Sequence, residues 1–288
     1  MNNSDQPKDS KQQKTDDSVS SNEDFEALLK QSNVYGKFLS LDEDGHVTMI
    51  FNGFKYERIK KVTDLTNIAD ELGKKLVTNQ WRAYMNINAE EMADWIRVFA
   101  PLFIQERFSY CARDIESGKI AAIALGLDFF EDTSEYIKKC PETFTREVEF
   151  FRGPHERVEK YLKDKLRITS KGEVAHYTKG CTLNQFENRK AFQLIGIVQV
   201  LDGMRRGYKF SIGEPTSPKT QHLNFTKKTE FSEPGFSLVK IIDEQQYSDY
   251  EFEGKKFIAP KTKLFPKPTI VTTLLNFDDI KKLIQPKF

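Results

Sequence analysis

Hydrophobic residues along this chain change period several times, and each change predicts an element. From Gly36 to Val62 apolar and polar positions alternate, interrupted by turn signals at Asp42-Glu43-Asp44-Gly45 and Asn52-Gly53. This predicts a small meander leading into a strand over Tyr56 to Val62. From Thr63 onward Leu65, Ile68, Ala69, Leu72 and Leu76 recur at helical spacing, with Thr63 or Asp64 as cap. A second helix opens at Asn88, lines Met92, Trp95, Ile96 and Phe99 on one face, and meets Pro101 before a further apolar stretch to Phe103. Phe108 to Arg113 and Ile120 to Leu127 flank the turn Asp114-Ile115-Glu116-Ser117-Gly118-Lys119 as a β-hairpin.

The second half carries the longest unbroken run of pattern. Glu173 to Leu183 is β-rich, and the polar stretch Asn184 to Lys190 reads as a turn. From Ala191 the residues Phe192, Ile195, Val198, Leu201 and Met204 follow helical spacing until Arg205-Arg206-Gly207 supplies a cationic last turn and a glycine stop. Tyr208, Phe210 and Ile212 then alternate as a strand. Between Asp128 and Lys171 an insertion carries Phe144, Val148, Phe151, Val158, Tyr161 and Leu162 at helical spacing around an expected break at Gly153-Pro154. Two further strands are expected, over Phe236 to Ile242 and Thr269 to Leu275.

The expected divisions are therefore a tail over 1–22, too polar to offset the entropy of ordering, then a short helix and meander over 23–55. A main domain follows over 56–275, containing the helical insertion at 128–171, with a helix or tail over 276–288.

Composition narrows the function classes. The 288 residues are 38% hydrophobic and include 23 Phe, enough for a substantial core. Lys plus Arg number 44 against 43 Asp plus Glu, so no bulk field draws the chain to nucleic acid or anionic lipid. The pairs Lys227-Lys228 and Lys255-Lys256 read as solvated faces. With no apolar run of membrane-spanning length and no apolar leader, the expectation is a soluble, intracellular, cytoplasmic protein. Cys111, Cys140 and Cys181 form no CxxC pattern, and His46, His155, His176 and His222 are dispersed, so neither a disulfide framework nor a metal cluster is expected.

A strand that feeds a helix N-terminus and returns to a parallel strand gathers orphan N–H groups for an anionic ligand. Here that unit resembles the acyl-CoA-binding core of the GNAT superfamily of N-acyltransferases. The superfamily's Q/R-x-x-G-x-G/A pattern falls on Glu187-Asn188-Arg189-Lys190-Ala191-Phe192, and Glu214 to Leu223 (EPTSPKTQHL) is similar to its E-A-T-N-x-x-S-Q-x-L-Y segment. ARDIESGKIAAIALG matches its second and third strands in type and spacing, and YSDYEFEGKK resembles a C-terminal feature of the arylalkylamine N-acetyltransferase-like branch. The resemblance spans 56–275. It implies an α/β (α+β) fold with a mixed central sheet flanked by helices, the insertion lying between the third and fourth strands of the family's sheet.

The resemblance also implies acetyl-CoA as cosubstrate and an amine as acceptor, with no metal. Gly180, Cys181 and Thr182 would pair with the pantetheine arm, while Glu187, Asn188, Arg189, Lys190, Ala191, Phe192 and Ser217 would surround the pyrophosphate. His176, on the fourth strand, is the candidate base, and Tyr208 or Tyr177 a substitute acid, since Asn224 stands where the family has a tyrosine. Glu147, Glu149, Glu90, Glu91 and Asp94 would reach an amine only from what reads as a solvated helix face. Lys190 and Phe192 replace the family's small residues, and Glu187 replaces its Gln or Arg. Two readings follow: an N-acetyltransferase for a small or protein amine, or a catalytically silent GNAT-fold protein that uses its cleft or the 128–171 insertion to bind a partner.

Overall fold

The computed structural model describes residues 36–78, 82, 84–187, 189, 191–216, 220, 239–246, 249, 251–252, 254–256 and 269–284. The expected tail and first helix, Asn188, Lys190, Ser217, Asn224, Lys227-Lys228 and, in the Tyr247 to Phe257 loop, residues 247, 248, 250, 253 and 257 lie outside them.

The meander forms as β1 (Leu39–Leu41), β2 (Val47–Phe51) and β3 (Phe54–Arg58). Both of its turns use left-handed backbone, at Gly45 (φ 77°) and at the Asn52-Gly53 pair (φ 52° and 79°), the geometry that turns a two-residue hairpin back on itself. The expected single helix from Thr63 is two: α1 (Val62–Thr66) and α2 (Ala69–Leu76), separated at Asn67-Ile68. Neither Thr63 nor Asp64 caps it, because the N-cap position falls on Lys61, which has no capping side chain.

Asn88 does cap α3 (Ala89–Glu106): its side chain accepts from the Glu91 amide and Glu91 reaches back to the Asn88 amide. Pro101 does not stop α3, and the expected break at Gly153-Pro154 is absent from α5 (Glu142–Tyr161), which follows the short α4 (Ser134–Ile137). In each case apolar residues buried on both sides of the proline, Phe99 and Leu102 in α3, Phe151 and Val158 in α5, hold the helix together across one lost hydrogen bond. A Cβ at Gly73 of α2 would meet the Ala89 carbonyl and lie 3.0 Å from the Ala93 amide, so this glycine sets how closely α2 and α3 cross.

The hairpin forms as β4 (Tyr110–Asp114) and β5 (Ile120–Asp128), then come β6 (Val174–Thr182), α6 (Ala191–Arg205) and β7 (Phe210–Gly213). The chain continues with β8 (Val239–Gln246), the ribbon β9 (Glu251–Phe252) and β10 (Lys255–Lys256), β11 (Thr269–Asn276) and α7 (Phe277–Ile284). Nine strands make one sheet in the order β1-β2-β3-β4-β5-β6-β7-β11-β8, in which β6 and β7 are the parallel pair and every other pair is antiparallel. All nine residues of β5 are buried, which explains why its sequence is apolar without alternation. The C-terminal helix is docked, not a loose tail: Phe277 is fully buried and its ring lies against Gly203 of α6.

Side chains of β6 divide the two layers. Gly180 faces the Phe192 ring of α6, whereas Lys179 faces Glu147 of α5 and Trp95 of α3. Helix α6 thus covers one face, and α3 with the insertion helix covers the other.

Candidate functional site

The parallel pair β6–β7 is short. Val174, Ala175, His176 and Tyr177 face Phe210, Ser211, Ile212 and Gly213, and beyond Tyr177 no β7 partner follows among the described residues. On its other edge β6 stays paired with β5 from Ala175 to Thr182. There the register skips Thr178: Leu125 faces Lys179 and the next residue, Gly126, faces Tyr177. A bulge of this kind bends the strand and increases its twist, which turns residues 178–182 away from β7. Gly126 has no room for a side chain at this bend, since a Cβ would lie 3.1 Å from both Phe108 and the Tyr177 ring. Burial follows the geometry: Val174 to His176 are buried and Tyr177 to Thr182 are only partly so. The two strands therefore part after Tyr177, and at this opening of the sheet one edge of residues 178–182 has no ladder partner among the described residues.

Ionisable side chains gather where the strands part. Glu214, the residue after β7, places Oε2 3.2 Å from His176 Nε2 and Oε1 2.9 Å from Nε2 of His155 on α5. Burial would raise the Glu214 pKa, but the two imidazoles pull it well below the carboxylate range. Burial depresses the pKa of His176 and keeps it neutral, outweighing the carboxylate. For His155 the balance reverses, and Glu214 lifts its pKa against the cost of burial. Phe129 packs edge-on against both rings, at 5.9 Å from His155 and 5.7 Å from His176.

Next to this trio lies a second buried group. Glu147 is 3% exposed and takes Lys179 Nζ at 2.6 Å and Arg82 Nη2 at 3.3 Å. Its burial favours the neutral acid, yet the two cations hold its pKa below the ordinary value. The expectation of a solvated face is therefore overturned for Glu147, while Glu149 is exposed, Glu91 is consumed by the α3 cap and Asp94 pairs with Arg97. Lys179 also lies over Trp95, 5.2 Å from the ring centre.

The remaining expected site residues are dispersed around the opening. Gly180, Cys181 and Thr182 do form its β6 wall. Burial pushes the Cys181 thiol up to about 12, far from a nucleophilic thiolate. Phe192, in the first turn of α6, lays its ring on Gly180: a Cβ there would come within 2.7 Å of Cζ. Ala191 is buried beside it. Glu187 is paired with Lys75, and Arg189 is drawn to Asp114 at 3.1 Å and to the Phe54 ring at 4.2 Å, away from the strand opening. Tyr208 stands before β7, at the closed end of the pair, and donates to Asp128 at 2.8 Å. Tyr177 is partly buried and desolvation pushes its phenol up, as it does that of Tyr208, so neither tyrosine is poised as an acid beside His176.

The sequence points to His176 on this strand and to Glu147 only as part of a solvated face, and it gives no sign that His155, Glu214, Arg82 and Lys179 gather beside them. Glu214 was visible only as the acidic end of a strand. Dispersal of the histidines suggested no cluster, yet the fold brings His155 and His176 to a ring separation of 5.2 Å. His46 is a core residue instead, with Nδ1 3.1 Å from buried Asp202.

No family model and no curated protein sequence matches the chain. Among solved structures, the putative arylalkylamine N-acetyltransferase 7 of Aedes aegypti superposes with a TM-score of 0.58 at 11% identity, covering 84% of this chain and 93% of that one. The C-terminal condensation domain of Ebony, solved with beta-alanyl-dopamine, gives 0.57 at 13% identity, with 77% of this chain and 99% of that one covered. Arylalkylamine N-acetyltransferase 2 of Aedes aegypti gives 0.50 at 14% identity, covering 78% and 99%. These likenesses show the fold: the chain has the GNAT fold that these neighbours share.

Proposed function

We propose that this protein transfers an acyl group from acyl-CoA to an amine, with the reaction at the β6–β7 opening. The observation that carries the reading is the opening itself, where the unpaired edge of Gly180 to Thr182 lies beside the buried His176–Glu214 pair. Backbone groups of residues 180–182 would hydrogen-bond the pantetheine amides and so fix the thioester, an effect of position more than of side-chain chemistry. The amine nitrogen attacks the thioester carbonyl, a C–N bond forms and the C–S bond breaks. His176, whose Nε2–H donates to the Glu214 carboxylate and so fixes the ring, takes the ammonium proton at Nδ1. The CoA thiolate, conjugate base of a thiol with a pKa of about 8.5, leaves without a dedicated acid and takes its proton from water. Aromatic residues beside Lys179, chiefly Trp95 and Phe151, would border the acceptor.

A second reading has its own observation. The Phe192 ring rests on Gly180, against the wall that pantetheine would use, and Glu187 adds a carboxylate to the same end of α6. This favours a silent GNAT-fold protein whose cofactor groove is filled by its own side chain.

Calorimetric titration of the full chain with acetyl-CoA, beside the Phe192→Gly variant, separates the two. Saturable binding by the wild type, with acetyl transfer to a panel of arylalkylamines and polyamines that His176→Gln loses by at least about 100-fold, supports the transferase. Binding by Phe192→Gly alone supports the filled groove, and binding by neither ends both acyl-CoA readings.

A further inference from the structure

We propose that His155, His176 and Glu214 form a binding site for a divalent transition-metal ion of the zinc type. One ligand atom from each lies within 4.8 Å of the others, the spread that three ligands around a single ion require. They come from three different elements, the insertion helix α5, strand β6 and the end of β7, so the fold converges on this point.

Two of these atoms have an ion-pair contact with each other and no well-aligned hydrogen bond among the described residues. His155 Nε2 and Glu214 Oε1 are shut off from solvent and stand 2.9 Å apart, but their alignment makes no hydrogen bond. A buried donor and acceptor held out of line forfeit much of the stabilisation that a hydrogen bond would give. An ion placed between the imidazoles and the carboxylate would satisfy both at once. Contrast His46, whose carboxylate Asp202 also accepts the Val47 amide at 3.0 Å and offers a second imidazole no place.

The surroundings suit a metal shell. Phe129 contacts both imidazoles and Phe151 contacts His155 at 6.1 Å, an apolar lining that fixes ring orientation. Two nitrogens and one carboxylate select zinc, cobalt or nickel over magnesium or calcium, which demand oxygen. Three protein ligands leave a fourth position open. The charged groups facing the trio are Lys179, Glu147 and Arg82. The Lys179 ammonium opposes a cation, but Glu147 holds it at 2.6 Å and, with Arg82, closes that charge within its own group.

Metal binding does not depend on acyl transfer. Where that reaction operates, an ion at His176 Nε2 would displace the hydrogen bond to Glu214 that orients the base and would withdraw electron density from the ring, so zinc would act as an inhibitor.

The test is titration of chelator-treated full-length protein with Zn²⁺ and, separately, Mg²⁺, together with Co²⁺ absorption spectra. One equivalent of Zn²⁺ should bind, Mg²⁺ should not compete, and Co²⁺ should give the intense visible bands of a four-coordinate nitrogen and oxygen site. His155→Ala and Glu214→Gln should each weaken Zn²⁺ binding at least about tenfold, while Cys140→Ser should leave it unchanged. Because His155 is 41% exposed, its substitution is tolerated by the fold, and circular dichroism would verify this. Absence of zinc binding, unchanged affinity in the His155→Ala and Glu214→Gln variants, or a cobalt–thiolate charge-transfer band pointing to a cysteine site would each overturn the proposal. Acetyl-CoA binding is measured independently, so either idea can fail alone.

Discussion

Two histidine–carboxylate pairs in this molecule look alike on paper and differ in wiring. At His46–Asp202 the carboxylate is fully buried, accepts a backbone amide from Val47 as well as the imidazole, and ties the N-terminal meander to helix α6. At the strand opening Glu214 meets two imidazoles and, among the described residues, no backbone donor. The first pair is fastened from several directions, as a structural contact should be. The second leaves hydrogen-bonding capacity unspent, next to unpaired strand edge, and that is the mark of a place prepared for something else.

The contrast can be broken by substitution. Asp202→Ala should cost the most stability, about 3–5 kcal/mol in denaturant unfolding, because a buried imidazole and a buried amide lose their partner together. Glu147→Gln should follow closely, about 3 kcal/mol, since Arg82 and Lys179 would be left buried with no counter-charge. The Glu147 contribution is present above its unfolded pKa and is lost as pH falls through its lowered folded pKa, so the gap between wild type and variant should narrow in acid. Glu214→Gln should cost only about 1 kcal/mol, because neutral His176 loses a hydrogen bond and His155, whose pKa the carboxylate raises, can release its proton rather than stay as an unpaired charge. A loss for Glu214→Gln as large as that for Asp202→Ala would erase the distinction between the two pairs.

A smaller effect tests the closed end of the sheet. Burial, reinforced by the neighbouring Glu131 carboxyl, pushes the Glu106 pKa up to about 7. A carboxyl whose folded pKa is raised holds its proton more tightly in the native state, so stability falls as pH rises from about 4.5 through 7. Glu106→Gln should therefore raise Tm at pH 8 and leave it nearly unchanged at pH 4. Equal shifts at both values would show that the carboxyl is not held neutral by its surroundings.

Local chemistry was legible in the sequence and long-range chemistry was not. The Asn52-Gly53 turn, the Asn88 cap and the apolar run of β5 announce themselves within a few residues, and the resemblance ordered them into the GNAT fold. The break expected at Gly153-Pro154 did not form because tertiary packing outweighed one missing hydrogen bond. The site escaped for a different reason. His155, His176 and Glu214 are separated by long stretches of chain, and only the bulge at Thr178, the entry of α5 over the sheet and the end of β7 bring them together. Glu147 read as solvated because its partners, Arg82 and Lys179, lie on other elements.

The claim that the β6–β7 opening is a ligand site is tested most directly by amide hydrogen exchange along β6, with and without saturating acetyl-CoA. The account predicts slowed exchange confined to residues 178–182, whose outer edge is unpaired, and no change over 174–177, which are already held by β7. Unchanged exchange at 178–182 in the presence of bound acetyl-CoA would contradict it.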